Sequence, residues 1–127
     1  MVNRLTTAQK AARKAIEAIY FGNATVIEHQ KIKNEASKLT EYVDIIVLEN
    51  QPCRLSYERL QTTVQSESAA AITQVIKLFL SPDIIIKPNS KITVTQNQVT
   101  RDYTYSGVPA VFPTHQEITL ELFQKWN

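Results

Sequence analysis

His115 and Glu117 stand two positions apart at the head of the last alternating run, "HQEITLELF", and they are the nearest thing to acid–base chemistry in the sequence. Residues i and i+2 of a strand share a face, so an imidazole and a carboxylate at that spacing could exchange a proton. The same spacing also makes a surface pair that caps a strand, and that is the preferred reading. Cys53, in "PCRLSY", is the only thiol. No histidine lies near it in sequence, and Cys53, Leu55 and Tyr57 alternate onto one strand face, so it reads as a small buried hydrophobe rather than a nucleophile. His29, His115 and Cys53 are not at metal-ligand spacing, which predicts no metal. The only glycines, Gly22 and Gly107, do not sit between a strand and a helix, so no phosphate-cradling loop and no cofactor are expected. Tyr103 and Tyr105 alternate beside Arg101 in "RDYTYSG". They form either a stacking platform for single-stranded nucleic acid or half-buried cross-strand packing. The sequence therefore predicts no enzyme.

The scaffold for these residues is small. At 127 residues the chain fits one domain, 1–127, with a modest core. We expect a helix within 1–22 and a β core over 24–124. Hydrophobic residues make up 43% and charged residues 20%, which is ordinary globular composition, although two glycines are few for an all-β protein. Fourteen basic and 12 acidic residues leave a net charge of +2, too little for a strong nonspecific hold on DNA. A single cysteine fits folding in a reducing cytoplasm. The opening "MVNRLTTAQKAARKAIEAIYFG" scatters cations through its length and matches neither a signal peptide nor a membrane span, so no membrane is expected as a partner.

That opening has helical spacing instead. Leu5, Ala8, Ala12, Ala15, Ile16 and Ile19 recur at steps of three and four, with Lys10, Arg13, Lys14 and Glu17 mostly elsewhere. Thr6 and Gln9 have capping-box spacing, and Gly22-Asn23 tolerate the left-handed conformation at a helix end, which predicts a helix near 7–21. Alanine dominates the apolar face, so the helix buries little area and should dock on this subunit or on a neighbour.

From Ala24 onward the chain breaks into short β-rich runs: "ATVIEHQKI", "EYVDIIVLE", "CRLSYE", "ITQVIKLFL", "DIII", "KITVTQ", "RDYTYS" and "QEITLELF". "QVIKLFL" is apolar on both faces and should be a central strand, whereas "QEITLELF" alternates and should be wet on one side. Pro88 and Asn89 supply a turn that folds Ile86 back toward Ile92 as a hairpin, and Ser81-Pro82 ends the strand before it. Pro109 and Pro113 bracket "AVF". The fold class predicted is mainly β: a small antiparallel β-barrel or sandwich with one N-terminal α-helix and a long polar loop. "KNEASKLTE" is a helical turn or a loop. "QTTVQSESAA", Gln61 to Ala70, lacks proline, glycine, aromatics and cations. It reads as a long mobile loop, with a solvated hairpin tip as the bland alternative.

The order of "VLENQPCRLSYE", a polar loop, "IKLFLSPDIIIKPNSKITVTQ" and "YTYSGVPAVFPTHQEITLELF" resembles the head-closure or head-tail connector proteins of tailed bacteriophages of Gram-positive hosts, also called stopper or minor capsid proteins. The resemblance runs from about Val43 to Phe123. It implies a small β-barrel repeated as a homo-oligomeric ring below the portal and its adaptor. That ring retains packaged DNA, without sequence-specific binding, and offers a docking surface to tail-proximal proteins. The location implied is the virion neck, assembled in the host cytoplasm. By position, Gln61, Thr62, Thr63, Val64, Gln65, Ser66, Glu67 and Ser68 correspond to a loop that enters the channel, where the absence of cations would limit friction with phosphates. Lys10, Arg13, Lys14 and Glu17 mark the helix as an assembly element packed on a neighbouring subunit or an acidic adaptor surface. Two other functions remain open: a tail-completion or terminator protein, and a small OB-like nucleic-acid-binding module built on Tyr103, Tyr105 and Arg101.

Overall fold

The computed structural model describes residues 5–62 and 71–126. One helix, α1 (Thr7–Glu17), precedes seven strands: β1 (Gly22–Lys33), β2 (Thr40–Thr62), β3 (Ala71–Leu80), β4 (Lys91–Gln96), β5 (Val99–Thr104), β6 (Ala110–Val111) and β7 (Gln116–Leu122). All pairings are antiparallel, in the order β3-β2-β1-β4-β5-β7-β6, and β3 also pairs with β7. The sheet therefore closes on itself as a ring of six strands with β6 as an appendage. This is the mainly β, barrel- or sandwich-like class the sequence predicts. Closure satisfies backbone groups that an open edge would leave to solvent.

Every ring strand contributes to the core: Ala24 and Val26 from β1, Cys53 and Leu55 from β2, Leu78 and Leu80 from β3, Ile92 and Val94 from β4, Tyr103 from β5, Ile118 and Leu120 from β7. Ile86 and Tyr105 plug it from loops. β3 is central, as its two-faced apolar pattern predicts, with β2 on one side and β7 on the other. Gln116, Ile118 and Leu120 of β7 face inward in alternation.

Three sequence readings are corrected by the strands. "EYVDIIVLE" and "CRLSYE" are one strand, β2, which pairs with β1 as far as Cys53 and with β3 from Arg54 onward. Pro52 does not break it, because β2 changes partners there. Two register shifts against Ala24–Ile27 absorb extra residues on β2, and Asn50 takes a φ of 50° in this stretch. "DIII" forms no strand. Its residues cross one end of the ring as irregular chain, with Ile86 buried and Ile85 exposed. The Pro88-Asn89 turn forms as expected, with Asn89 at φ 67° and the Ser90 amide donating to the Lys87 carbonyl, but Ile92 pairs with Val26 and Tyr103, not with Ile86. "KNEASKLTE" is the β1–β2 turn, closed by Asn34, whose side-chain oxygen accepts from the amides of Ala36 and Ser37.

The helix is shorter than the 7–21 predicted. Its capping box is present, the Thr6 hydroxyl accepting from the Gln9 amide and the Gln9 side chain from the Thr6 amide. It ends at Glu17 because the chain must be extended by Gly22, which pairs with Cys53 in the ladder and has no left-handed φ. A Cβ at Gly22 would lie 3.0 Å from Gln96 Oε1 and 3.1 Å from the Cys53 carbonyl oxygen, so close backbone approach, not a helix cap, fixes glycine there. No helix among the described residues is long and apolar enough to cross a membrane.

Candidate functional site

The β1–β2 and β2–β3 ladders each outrun the closed ring, at opposite ends of β2, and this makes two two-stranded arms. At one end β7 pairs with β3 only from Ile76 to Leu80, so β2 and β3 continue alone from Glu58–Val75 to Thr62–Ala71. The expected channel segment, Gln61 to Ser68, begins on this ladder. Gln61 and Thr62 are ladder residues paired with Ile72 and Ala71, which corrects the loop boundary at Gln61, because the β2–β3 ladder outlasts the polar composition. Thr63, Val64, Gln65, Ser66, Glu67 and Ser68 lie outside the described residues. At the other end β4 leaves β1 at Ile27, and β1–β2 continues alone to Lys33–Thr40.

Among the described residues Arg13 is the helix side chain that hydrogen-bonds to the β body. Arg13 donates from Nη2 and Nε to the Pro113 carbonyl at 2.7 and 3.2 Å, and from Nη1 to Asp83 Oδ2 at 3.0 Å. A planar guanidinium suits such a fork, which ties α1 to the β3–β4 and β6–β7 connections of its own chain. Lys10 and Lys14 are exposed and Glu17 is half-buried, while Ala8, Ala12, Ala15 and Ile19 of the expected apolar face are exposed. None of the helix is buried. Ile16, Ile19 and Tyr20 overlie Arg54, Ser56, Phe79 and His115 across a cleft of about 250 Å³. The Tyr20 hydroxyl is buried there without a hydrogen-bond partner among the described residues, and burial, then Glu17, raise its pKa.

The residues singled out for chemistry are engaged structurally. His115 Nε2 meets Glu117 Oε2 at 2.9 Å and its Nδ1 meets the Thr114 hydroxyl at 2.9 Å, while its ring stacks on Phe112 at 4.8 Å. Both ring nitrogens are thus occupied by neighbours in sequence, and Lys77 stands between Glu117 and Glu58 at 3.9 and 3.8 Å. The His115–Glu117 pair sits at the start of β7, joined by that hydrogen bond. Cys53 is fully buried, and burial pushes its thiol up to about 12, which removes the reactive thiolate at neutral pH.

The aromatic platform is absent. Tyr103 and Tyr105 are 1% and 2% exposed. The Tyr105 hydroxyl donates to the Ile86 carbonyl, and burial, then the bond to Tyr57, raises the pKa of Tyr103. Alternation places them on the inner face, so no base can stack on them, and the OB-like reading loses the surface it needs.

Sequence reasoning missed a different aromatic cluster. His29 lies between Tyr42 and Trp126, with ring centroids 4.8 Å from each, and its Nδ1 meets Asp44 Oδ1 at 2.7 Å. Trp126 meets Phe123 edge-on, and Lys91 lies over the Phe123 ring. The stack pins the C-terminal segment to the β1–β2 arm beside a cleft of about 350 Å³ lined by Glu28, Gln30, Lys87 and Ser90. Ser90 lines the same cleft as His29, and no hydrogen bond joins the two among the described residues. The alternation of "EHQKI" against "EYVDI" was the available signal, since it sets His29 opposite Asp44 once the hairpin register is known.

No family model matches the chain, and no curated protein matches it. Among solved structures the chain is similar to the phage-like element PBSX protein xkdH from Bacillus subtilis, with 14% identity over 80% of this chain and 90% of that one, at a TM-score of 0.44.

Proposed function

We propose that the chain is a structural protein of a tailed-phage virion neck, one subunit of a ring below the portal-bound adaptor that closes the DNA-filled head and receives the tail. The observation that carries this reading is the β2–β3 ladder. Between Arg59–Gln74 and Thr62–Ala71 no third strand among the described residues joins it, so β2 and β3 run beyond the closed β body as a two-stranded arm, and residues 63–70 join the two strands in sequence. A rigid ring of strands with an arm at its rim suits a mechanical plug, and the motif order from Val43 to Phe123 that resembles head-closure proteins supports the same assignment. In this reading residues 63–70 line or block the passage, the adaptor and tail-proximal proteins bind opposite faces of the ring, packaged DNA is contacted without sequence preference, and no reaction is catalysed. Assembly takes place in the host cytoplasm.

The test is to shorten residues 63–68 in the viral gene. The variant protein should fold and enter particles, and filled heads should then release their genome, scored as DNA accessible to added nuclease. Particles that incorporate the shortened protein and keep their DNA would contradict the channel role.

A further inference from the structure

The β1–β2 arm has two open edges. Among the described residues no other strand pairs with the outer side of β1 from Glu28 to Lys33, nor with the outer side of β2 from Thr40 to Gln51. At about 3.3 Å per residue, the β1 edge alone extends roughly 20 Å. Open edges are templates for strand addition, and proteins ordinarily blunt them with lysine, proline or a covering element. Here β2 carries "VDIIVL" along its edge with no proline and no cation, and Tyr42, Val43, Ile46 and Val47 are all exposed. An uncovered edge of this composition is a liability unless something pairs with it.

The two edges differ in charge. On β1, Lys31 and Lys33 are exposed, while Glu28 is engaged by Lys87 at 3.8 Å. On β2, Glu41, Asp44 and Glu49 are exposed. Among the described residues Lys31, Lys33, Glu41 and Glu49 have no ion-pair partner within their own chain, and Asp44 holds only His29. A two-fold contact between β2 edges centred on Ile45 would set Glu41 against Glu49, and like charges facing each other across a ladder are destabilising, while a two-fold contact between β1 edges would leave the acidic, apolar β2 edges uncovered. A head-to-tail contact sets basic against acidic. Repeating the hairpin in one orientation also brings β1 of one copy antiparallel to β2 of the next, continuing the antiparallel ladder.

We propose that a second copy of this chain docks on this arm, the basic β1 edge of one copy pairing with the acidic β2 edge of the next. Such a heterologous contact closes into a ring or runs on as a filament according to the rotation between copies. The inference stands on the strand edges and does not require the virion reading.

The test uses the full chain with two variants, Lys31→Glu/Lys33→Glu and Glu41→Lys/Glu49→Lys, at exposed positions whose thermal unfolding checks the fold. Sedimentation velocity up to millimolar concentration should show wild-type self-association, with slowed amide exchange in 28–33 and 40–48. Each variant alone should associate at least about tenfold more weakly, and an equimolar mixture should recover association because the swapped edges complement each other. A wild-type chain that stays monomeric at millimolar concentration overturns the proposal. So does a Glu41→Lys/Glu49→Lys variant that associates as the wild type does, since a contact between two β1 edges would ignore it.

Discussion

The side chain of Gln96 serves as a strand partner for Leu55: the Leu55 amide donates to Gln96 Oε1 at 2.8 Å, and Gln96 Nε2 donates to the Leu55 carbonyl at 3.2 Å. The pair sits where β2 has left β1, after Cys53, and Gln96 satisfies the two Leu55 groups that β1 no longer reaches. Both residues are buried. Replacing Gln96 with leucine leaves two buried backbone groups without partners, which should cost about 2–4 kcal/mol. Urea unfolding measures this, and a loss below about 1 kcal/mol would mean that the β2 crossover is held by other contacts.

Arg13 should control the helix and little else. Asp83 is solvent-exposed, so the ion pair contributes little, and Arg13→Ala should lower global stability by no more than about 1 kcal/mol. Loss of the bonds to Pro113 should nevertheless free α1, seen as at least about tenfold faster amide exchange over 10–18 with β-core amides unchanged. Unchanged exchange in the helix would show that another contact seats it.

Alkaline pH should unfold the protein through its core. Burial raises the Cys53 thiol from 9.0 to about 12 and raises Tyr103 and Tyr105 above 10.0. Groups whose folded values exceed their unfolded ones contribute fully below the unfolded value and lose that contribution as pH climbs toward the folded one. Stability should therefore hold up to about pH 9 and fall above it, by up to about 1.4 kcal/mol per unit from the thiol alone. Urea midpoints at pH 8, 9.5 and 11 test this for the wild type and Cys53→Ala, which should show the shallower decline from pH 9.5 to 11. Equal slopes for the two proteins would remove Cys53 from the account.

The β fold was legible because two-residue alternation is a local signal. It placed Ile118 and Leu120 inward and β3 at the centre, and the Thr6–Gln9 capping box needed only spacing. What escaped were long-range facts. "EYVDIIVLE" and "CRLSYE" looked like separate strands, yet β2 runs through Pro52 because a strand can exchange one neighbour for another. "DIII" looked like a strand, yet Ile86 is needed as a plug under Tyr105 rather than in a ladder. The two readings of Tyr103 and Tyr105 differ only by which face turns inward, and register decides that. The Arg13 fork joins residues 70 and 100 positions apart, and no sequence pattern announces it.

The central claim, that this chain closes a DNA-filled head, is tested most directly by electron microscopy of particles assembled without it. The account predicts heads that have lost their DNA and carry no tails, with filled, tailed particles restored when the gene is supplied in trans. Filled heads bearing tails in its absence would contradict it.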